Sequence, residues 1–165
     1  MLSIRRLTMN DVDTVFEYSS DLENTYYMLT PPDRSKDETE AFVKKCVEEY
    51  DRTRPRYLSF AVTLDGVHIG EVFAEVKGTE ADIGWVINKK YWGHGYATQA
   101  SRLLVEYLKR HLGVTELVAF CDARNIASQK VMEHLGMTPA GTNGIRKYNK
   151  EVSSGVELRF SAKLQ

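Results

Sequence analysis

The sequence predicts a single mixed α/β domain that spans residues 1–165, and three observations carry this prediction. Segments with strand and helix patterns follow one another in the order β-α-α-β-β-β-α-β-α-β-β, with no linker, repeat or low-complexity stretch between them. A chain of 165 residues, 42% of them hydrophobic and 27% charged, buries one sizeable core and leaves little room for a second. Two runs rich in β-branched residues flank an Asp65-Gly66 dipeptide, which marks an antiparallel hairpin.

One strand and two helices are expected in the N-terminal third. The first seven residues alternate polar and apolar side chains, as a half-buried strand does, and a first helix follows with Thr8 or Asn10 as its N-cap. The second helix begins at Ser35, which forms an S-x-x-E capping box with Glu38. Its apolar side chains recur at intervals of three and four residues, so that one face is buried: Phe42, Val43, Cys46, Val47 and Tyr50.

Three consecutive strands fill the middle of the chain. Residues 57–64 and 67–76 are rich in β-branched and aromatic side chains, and the Asp65-Gly66 pair between them accepts the positive φ angles of a type I′ turn. A third strand over residues 80–87 follows a turn at Gly78. The middle of the chain is therefore an antiparallel meander.

The remaining elements alternate between helix and strand. A long amphipathic helix over residues 96–112 closes at Gly113, and residues 115–121 form a buried strand. A short helix follows, is stopped by Gly136, and precedes two more strands within residues 145–163.

Charge and cysteine content exclude several classes of function. The formal net charge is −1, with 22 Lys and Arg residues against 23 Asp and Glu residues, and the sequence contains no basic stripe. Nucleic acid and anionic membranes are therefore not expected as partners. Cys46 and Cys121 lack CxxC spacing, and the first residues resemble neither a signal peptide nor a membrane span. We expect a cytoplasmic protein whose partner is a small molecule or another protein.

The loop between residues 90 and 100 contains Gly93 and Gly95, one residue apart, between a strand and a long helix. Without a Cβ atom the backbone turns tightly and approaches a ligand closely, and the helix that follows offers unpaired N–H groups at its positive end. This arrangement suits a phosphate group. The alternative is an ordinary turn, which glycines also form between a strand and a helix.

The loop and the residues around it resemble the GNAT superfamily of N-acetyltransferases, in particular the branch of ribosomal-protein-serine/alanine N-terminal acetyltransferases. The match in spacing and order extends from about residue 81 to residue 137, and the first 80 residues fit more loosely. The segments that carry it are Ile83-Gly84-Trp85-Val86-Ile87, Tyr91-Trp92-Gly93-His94-Gly95-Tyr96-Ala97-Thr98, Asn125 with Ser128, and Met132-Glu133-His134-Leu135-Gly136-Met137. The resemblance implies a mixed, mostly antiparallel twisted sheet of about seven strands flanked by about four helices.

The resemblance also implies a site for acetyl-CoA as co-substrate. The family holds the pantetheine arm between two strands that splay apart, which here end near Ile87 and Cys121. The backbone N–H of Val86 or Ile87 would polarise the thioester carbonyl, and Asn125 and Ser128 would form the far wall of the arm's site. Backbone amides of the loop would bind the pyrophosphate, namely those of Gly93, His94, Gly95, Tyr96, Ala97 and Thr98.

A general base is required because a protonated amine has no lone pair with which to attack. Asp82 is the first candidate, since the family often has an acidic residue at the start of the strand before the loop, and Glu71 on the neighbouring strand is the second. The alternative for each is a solvated carboxylate on the face of a sheet. Met132 stands where many members have a tyrosine that protonates the departing thiolate, and methionine has no proton to donate. Water or the ammonium product would then supply that proton.

Three classes of function stay open at this point. The first is an acetyl-CoA-dependent N-acetyltransferase in which the amine attacks directly, and the second is a non-catalytic acetyl-CoA-binding sensor or scaffold of the same fold. The third, a dinucleotide-binding domain, fits least because Thr98 stands where its fingerprint has a glycine. Acetyl turnover separates the first two.

The acceptor and the assembly are less defined by the sequence. The resemblance suggests as acceptor a protein N-terminal α-amine or a small-molecule amine, with Tyr26 and Tyr27 shaping its pocket. The exposed ends of a mixed sheet would suit a homodimer. No metal is expected, because the histidines lack ligand spacing with one another or with the cysteines: His68, His94, His111 and His134.

Overall fold

The computed structural model describes residues 1–148 and 154–165, and its seven strands form one sheet in the order β1-β2-β3-β4-β5-β7-β6. All neighbouring strands are antiparallel except β4 and β5, which are parallel. The predicted fold class is therefore confirmed. The elements are β1 Leu2–Arg6, α1 Val12–Ser19, α2 Lys36–Glu49, β2 Tyr57–Leu64, β3 Val67–Lys77, β4 Glu80–Ile87, α3 Tyr96–Leu112, β5 Glu116–Asp122, α4 Ile126–His134, β6 Thr138–Arg146 and β7 Gly155–Lys163.

The helices cover the two faces of the sheet separately. The apolar stripe of α3, with Leu104 and Leu108 fully buried, packs on one face together with Met132 of α4. Helices α1 and α2 bury Val15 and Val43 on the other face in a second, smaller cluster. Burying each such side chain contributes about 1.5–3 kcal/mol, so the two clusters fix which face each helix covers.

Turn chemistry behaves as the sequence predicts at two positions. Asp65 and Gly66 both have positive φ angles, 48° and 85°, as a type I′ hairpin turn between β2 and β3 requires. Gly113 ends α3 in the left-handed conformation with a φ of 64°, and the next residue, Val114, donates its N–H to the Leu108 carbonyl at 3.3 Å.

The predicted capping box at the start of α2 is wrong, although the helix begins where expected. The Ser35 side chain makes no cap hydrogen bond. The Glu38 carboxylate instead accepts the backbone N–H of Arg34 at 2.8 Å and the guanidinium of the same residue. The carboxylate therefore bonds the residue before the serine and not the serine itself.

The sixth strand begins at Thr138, whereas the sequence placed the last two strands within residues 145–163. Pro139 lies inside this strand and pairs with Phe160 of β7. The strand tolerates a proline because β6 is the edge of the sheet, where an N–H on the outer side needs no partner. Its register with β7 shifts twice, which weakens the alternation that sequence reading relies on.

Both cysteines are free thiols buried in the protein, Cys46 in α2 and Cys121 in β5. None of the helices in the described part of the chain combines the length and the apolar character needed to cross a lipid bilayer.

Candidate active site

The central feature of the site is an opening between β4 and β5. Asp82 and Val118 form the last of three parallel pairs, yet β4 continues to Ile87 and β5 to Asp122. Each strand stays paired on its outer side, β4 with β3 and β5 with β7. The inner edges of both strands therefore present backbone groups to the gap, and an extended polar chain that enters it finds hydrogen-bonding partners.

The peptide between Val86 and Ile87 determines which amide faces this opening. The Val86 carbonyl oxygen lies against Gly70 of β3, where any Cβ atom would collide with it. Because a trans peptide is planar, the N–H of Ile87 points the opposite way, into the opening. The backbone N–H groups of successive residues in a strand point to opposite sides, so the N–H of Trp85 faces the opening as well and that of Val86 faces β3. Of the two donors named from the sequence, the geometry therefore favours Ile87.

Two side chains hold the carbonyl of Ile87. The next peptide N–H, that of Asn88, donates to Ile69 of β3 at 2.8 Å, so the Ile87 carbonyl also points away from β3. There it accepts the Nδ2 group of Asn24 at 2.8 Å and the Nε1 group of Trp92 at 2.7 Å. No local pattern marks Asn24, which lies 63 residues from its partner in a segment without a motif.

The glycine loop has the conformation that the sequence predicts. Gly93 and Gly95 have φ angles of 83° and 73°, in the region that side chains disfavour, and Gly95 is the N-cap of α3. The helical ladder starts with the Gln99 N–H, which donates to the Gly95 carbonyl at 3.1 Å. The first-turn amides, those of residues 96–98, precede this ladder at the positive end of a 17-residue helix, which is a suitable place for an anion. The rings of His94 and Tyr96, in and just after the loop, stack on each other with their centroids 5.4 Å apart.

Asn125 and Ser128 meet at the start of α4. The Asn125 Oδ1 atom accepts the Ser128 N–H at 3.2 Å, so Asn125 is the N-cap of the helix. This bond does not use the donors of the Asn125 amide. Met132 of the same helix is almost completely buried in the larger core cluster, 1% exposed.

Asp82 lies at the narrow end of the opening, on the sheet face that α1 and α2 cover in part. Burial, together with the neighbouring charge of Glu75, raises the pKa of its carboxyl to about 6. Such a carboxyl is mostly ionised at neutral pH, so that it can act as a general base there.

Glu71 has a different environment from Asp82. Its carboxylate is fully buried and accepts hydrogen bonds from the Tyr18 hydroxyl and, at 2.5 Å, from the Ser59 hydroxyl. Burial raises its pKa, while the two hydroxyls counter that rise. Both carboxylate oxygens are therefore engaged in holding α1 to β2 and β3.

The segment between α1 and α2 spans the mouth of the opening. On the β4 side, Asn24 donates a hydrogen bond to Ile87 at the end of β4. On the other side, the Tyr27 carbonyl accepts a hydrogen bond from Nη2 of Arg146, at the end of β6, at 3.2 Å. The Tyr27 hydroxyl also donates to the carbonyl of Arg124, just after β5, at 3.4 Å. Tyr26 and Tyr27, which the sequence placed in an acceptor pocket, therefore lie where the segment crosses the gap.

Several charged residues near this mouth were not found from the sequence. Arg146 pairs with Glu157 of β7 at 2.5 Å. Asp122, at the end of β5, accepts Arg124 and the Tyr148 hydroxyl, and the hydrogen bond from Arg124 holds its pKa well below the usual range. The contacts of Arg146 with Glu157 and of Tyr148 with Asp122 join residues 11 and 26 positions apart, and local patterns carry no signal for them.

Within residues 1–148 and 154–165, no three His, Cys, Asp or Glu side chains lie close enough together to bind a metal ion. His68 is nearly buried against α1, where its Nδ1 atom lies 2.6 Å from the Thr14 hydroxyl.

Comparison with known proteins connects this geometry to a family. The sequence profile described as acetyltransferase (GNAT) domain matches residues 1–138. The uncharacterized N-acetyltransferase YnaD of Bacillus subtilis is 32% identical over 141 residues, which are 85% of this chain and 81% of that protein.

Two solved structures share the fold over almost the whole chain. One is RimL, a ribosomal L7/L12 alpha-N-protein acetyltransferase in complex with coenzyme A, with a TM-score of 0.85 at 17% identity, covering 99% of this chain and 94% of that one. The other is the spermidine N-acetyltransferase of Vibrio cholerae in complex with CoA and spermine, with a TM-score of 0.85 at 17% identity, covering 98% and 95%. At such identities the likeness concerns the fold.

Proposed function

The chain belongs to the GNAT acetyltransferase family, and from this premise we propose that it uses the opening between β4 and β5 to bring acetyl-CoA and a primary amine together from opposite faces of the sheet. The protein is an acetyl-CoA-dependent N-acetyltransferase. One observation carries the assignment of its site: the glycine loop and α3 lie on one side of the opening, and Asp82 faces the other side.

Acetyl-CoA is held through backbone groups. The pyrophosphate binds at the glycine loop, with the amides of residues 93–98, and the pantetheine arm runs from there into the opening. On its way it passes Ile87 first, whose N–H faces the gap, while Asn125 and Ser128 of α4 flank the arm. Thr98 contributes its amide, because its side chain is buried.

The thioester then lies beyond Ile87, towards the narrow end of the opening. Ile87 lies five positions after Asp82 in the extended strand, a distance of about 17 Å, which is too far for the Ile87 N–H and the Asp82 carboxylate to act on the same reacting group. Trp85 is the next residue towards Asp82 whose N–H faces the gap, about 10 Å along the strand from Asp82. We therefore assign the thioester carbonyl to the Trp85 N–H and the pantetheine arm to that of Ile87.

The reaction follows from these positions. Asp82, through a water molecule, takes the proton from the acceptor's ammonium group, and the amine nitrogen attacks the thioester carbon. The new C–N bond leaves negative charge on the carbonyl oxygen, which the Trp85 N–H stabilises. The C–S bond then breaks, and the thiolate takes its proton from water or from the ammonium product, since Met132 has none to give.

Asp82 is preferred over Glu71 as the base because of their surroundings. Asp82 is half-buried and thus still open to solvent, with a pKa of about 6, whereas Glu71 is enclosed between Tyr18 and Ser59. A base must exchange its proton with solvent after each turnover, and Asp82 meets that requirement.

The acceptor class stays within the two alternatives of the sequence analysis. A protein N-terminal amine is the acceptor suggested by RimL, and a polyamine is the one suggested by the Vibrio cholerae enzyme.

Three further proposals concern the whole protein. We propose that residues 1–165 are one domain, which the single sheet supports, and that the protein is cytoplasmic, which its two free buried thiols support. We also propose that it can form a homodimer.

The test is release of the coenzyme A thiol from acetyl-CoA in the presence of amine panels. N-terminal peptides and polyamines are supplied separately, with the wild-type protein and the Asp82→Asn variant. Amine-dependent release by the wild type and its loss in the variant are the expected results. Binding of acetyl-CoA without release for any amine would instead support the sensor alternative.

A further inference from the structure

We propose that Asn24 is a positioning residue that couples the acceptor side of the site to the strand edge that binds acetyl-CoA. The inference rests on the proposed function and adds a residue that neither the sequence pattern nor the proposed chemistry uses. It is carried by one buried side chain that bonds the end of β4 from within the segment that crosses the opening.

The side chain of Asn24 is only 9% exposed and uses both of its functional ends on backbone groups. Its Nδ2 atom donates to the Ile87 carbonyl at 2.8 Å, and its Oδ1 atom accepts the Lys89 N–H at 2.7 Å. These two groups lie on either side of Asn88, so the amide clamps the exit of β4. A buried amide satisfied in this way specifies one backbone conformation, because every alternative leaves a buried polar group unpaired.

The clamp acts directly beside the amide assigned to the pantetheine arm. Ile87 presents its N–H to the opening and its carbonyl to Asn24, so fixing the carbonyl fixes the orientation of the residue. Trp92 donates to the same carbonyl from the segment just before Gly93. Asn24 and Trp92 therefore hold Ile87 from two different segments, one on each side of the site.

The segment that contains Asn24 is itself anchored to the same region. Asp21 accepts the Asn24 N–H at 2.8 Å through one oxygen and the Lys89 ammonium at 2.7 Å through the other. Lys89 also reaches Glu23 at 3.0 Å. Tyr27 then connects the far end of the segment to Arg124 and Arg146 across the gap. The position of the acceptor segment thus depends on the conformation of residues 87–89.

This arrangement makes a prediction with two separable parts. Removing either donor to the Ile87 carbonyl loosens the acetyl-CoA edge, and removing Asn24 also detaches the acceptor segment. Asn24→Ala should therefore raise the KM for the acceptor and the KM for acetyl-CoA, each by about tenfold, because it removes two buried hydrogen bonds, one to the Ile87 carbonyl and one from the Lys89 N–H. Trp92→Phe should raise only the KM for acetyl-CoA.

The experiment measures both KM values and kcat for the wild type, Asn24→Ala and Trp92→Phe, with Asn10→Ala as the matched control. Asn10 is exposed in the short 3-10 helix Met9–Asp11, away from the opening, and its replacement should leave all constants unchanged. Hydrogen exchange of the Lys89 amide gives a readout besides activity, and it should be faster in Asn24→Ala because the amide loses its acceptor.

The outcomes separate this inference from the proposed function. A wild-type protein that acetylates no amine contradicts the proposed function, whatever the variants do. If the wild type is active, two results would overturn the coupling alone. One is an acceptor KM that does not change in Asn24→Ala, and the other is the same change in both KM values in Asn24→Ala and in Trp92→Phe. A general loss of folding would lower kcat and the melting temperature without dividing the two KM values.

A second variant keeps the test decisive if Asn24→Ala does not fold. Lys89→Met removes the bonds to Asp21 and Glu23 and leaves the Ile87 carbonyl untouched, and its side chain is 37% exposed. It should raise the acceptor KM and leave the KM for acetyl-CoA unchanged. An acceptor KM equal to that of the wild type would overturn the proposal.

Discussion

Asp82 of β4 and Glu75 of β3 stand directly opposite each other in the antiparallel pair of strands, with both side chains on the face that the acceptor is proposed to approach. Burial, and after it the charge of Glu75, raise the pKa of the Asp82 carboxyl to about 6. The pair thus holds one carboxyl in the range where a base for an ammonium group is effective.

Replacing Asp82 should remove the general base. For Asp82→Asn we expect kcat/KM for the amine at pH 7 to fall by about 100-fold, the lower end of the usual effect of such a group. In the wild type the base must be deprotonated, so activity should rise with pH through a step near pH 6. That step should be absent in the variant, and a variant profile with the step intact would assign it to another group.

Replacing Glu75 should move the step rather than remove it. Glu75 raises the pKa of Asp82, so in Glu75→Gln the pKa falls and the step in kcat/KM shifts to lower pH. The step should stay above 3.8, the ordinary pKa of an aspartate, because burial is the larger cause and is unchanged. Lys77→Gln serves as the opposite control: Lys77 lowers the pKa, so its loss should shift the step upwards.

Tyr18 and Glu71 should matter for stability more than for the pH profile. Tyr18→Phe leaves one oxygen of a buried carboxylate without its donor, which should lower the free energy of unfolding by about 2 kcal/mol. Denaturant unfolding at pH 7 measures this loss. The hydrogen bond from Tyr18 lowers the pKa of Glu71, so its loss in Tyr18→Phe should raise that pKa. If Glu71 were the catalytic base, the variant would therefore also shift the step in kcat/KM to higher pH.

The glycine at the start of α3 should be required for acetyl-CoA through its conformation. Gly95 has a φ of 73° and ample space around it, so Gly95→Ala is disfavoured by about 1–2 kcal/mol of backbone strain and not by a clash. We expect the KM for acetyl-CoA to rise about tenfold. Gly78→Ala is the matched control, since its φ of 62° in the turn between β3 and β4 gives the same strain away from the loop. It should lower the melting temperature and leave that KM unchanged.

Two replacements of Asn125 separate its structural role from its proposed contact with acetyl-CoA. Asn125→Asp keeps an oxygen acceptor for the Ser128 N–H, so α4 should stay capped and the melting temperature should not fall. The KM for acetyl-CoA should still rise, because the amide donors are lost. Asn125→Ala should show the same rise together with a loss of about 1 kcal/mol in stability. An unchanged KM in both variants would remove Asn125 from the acetyl-CoA site.

Local sequence signals predicted the elements that depend on local physics. Asp65-Gly66 defined its hairpin because only certain residues accept positive φ at both positions, and Gly113 ended α3 for the same reason. The strand at Thr138 was missed because Pro139 argues against a strand unless its place at the edge of the sheet is known. Edge position is a property of the assembled sheet.

By itself, the sequence determined the family, the order of the strands and helices, and the glycine loop, because periodicity, turn residues and motif spacing act within a few residues of the chain. Only the tertiary structure decided that the Ile87 N–H faces the opening, that Glu71 is enclosed by Tyr18 and Ser59, and that Asn24 clamps the end of β4. Each of these depends on a partner from another element. Ser59 lies 12 residues from Glu71, and Asn24 lies 63 residues from Ile87. Such contacts form only when the sheet brings those elements together.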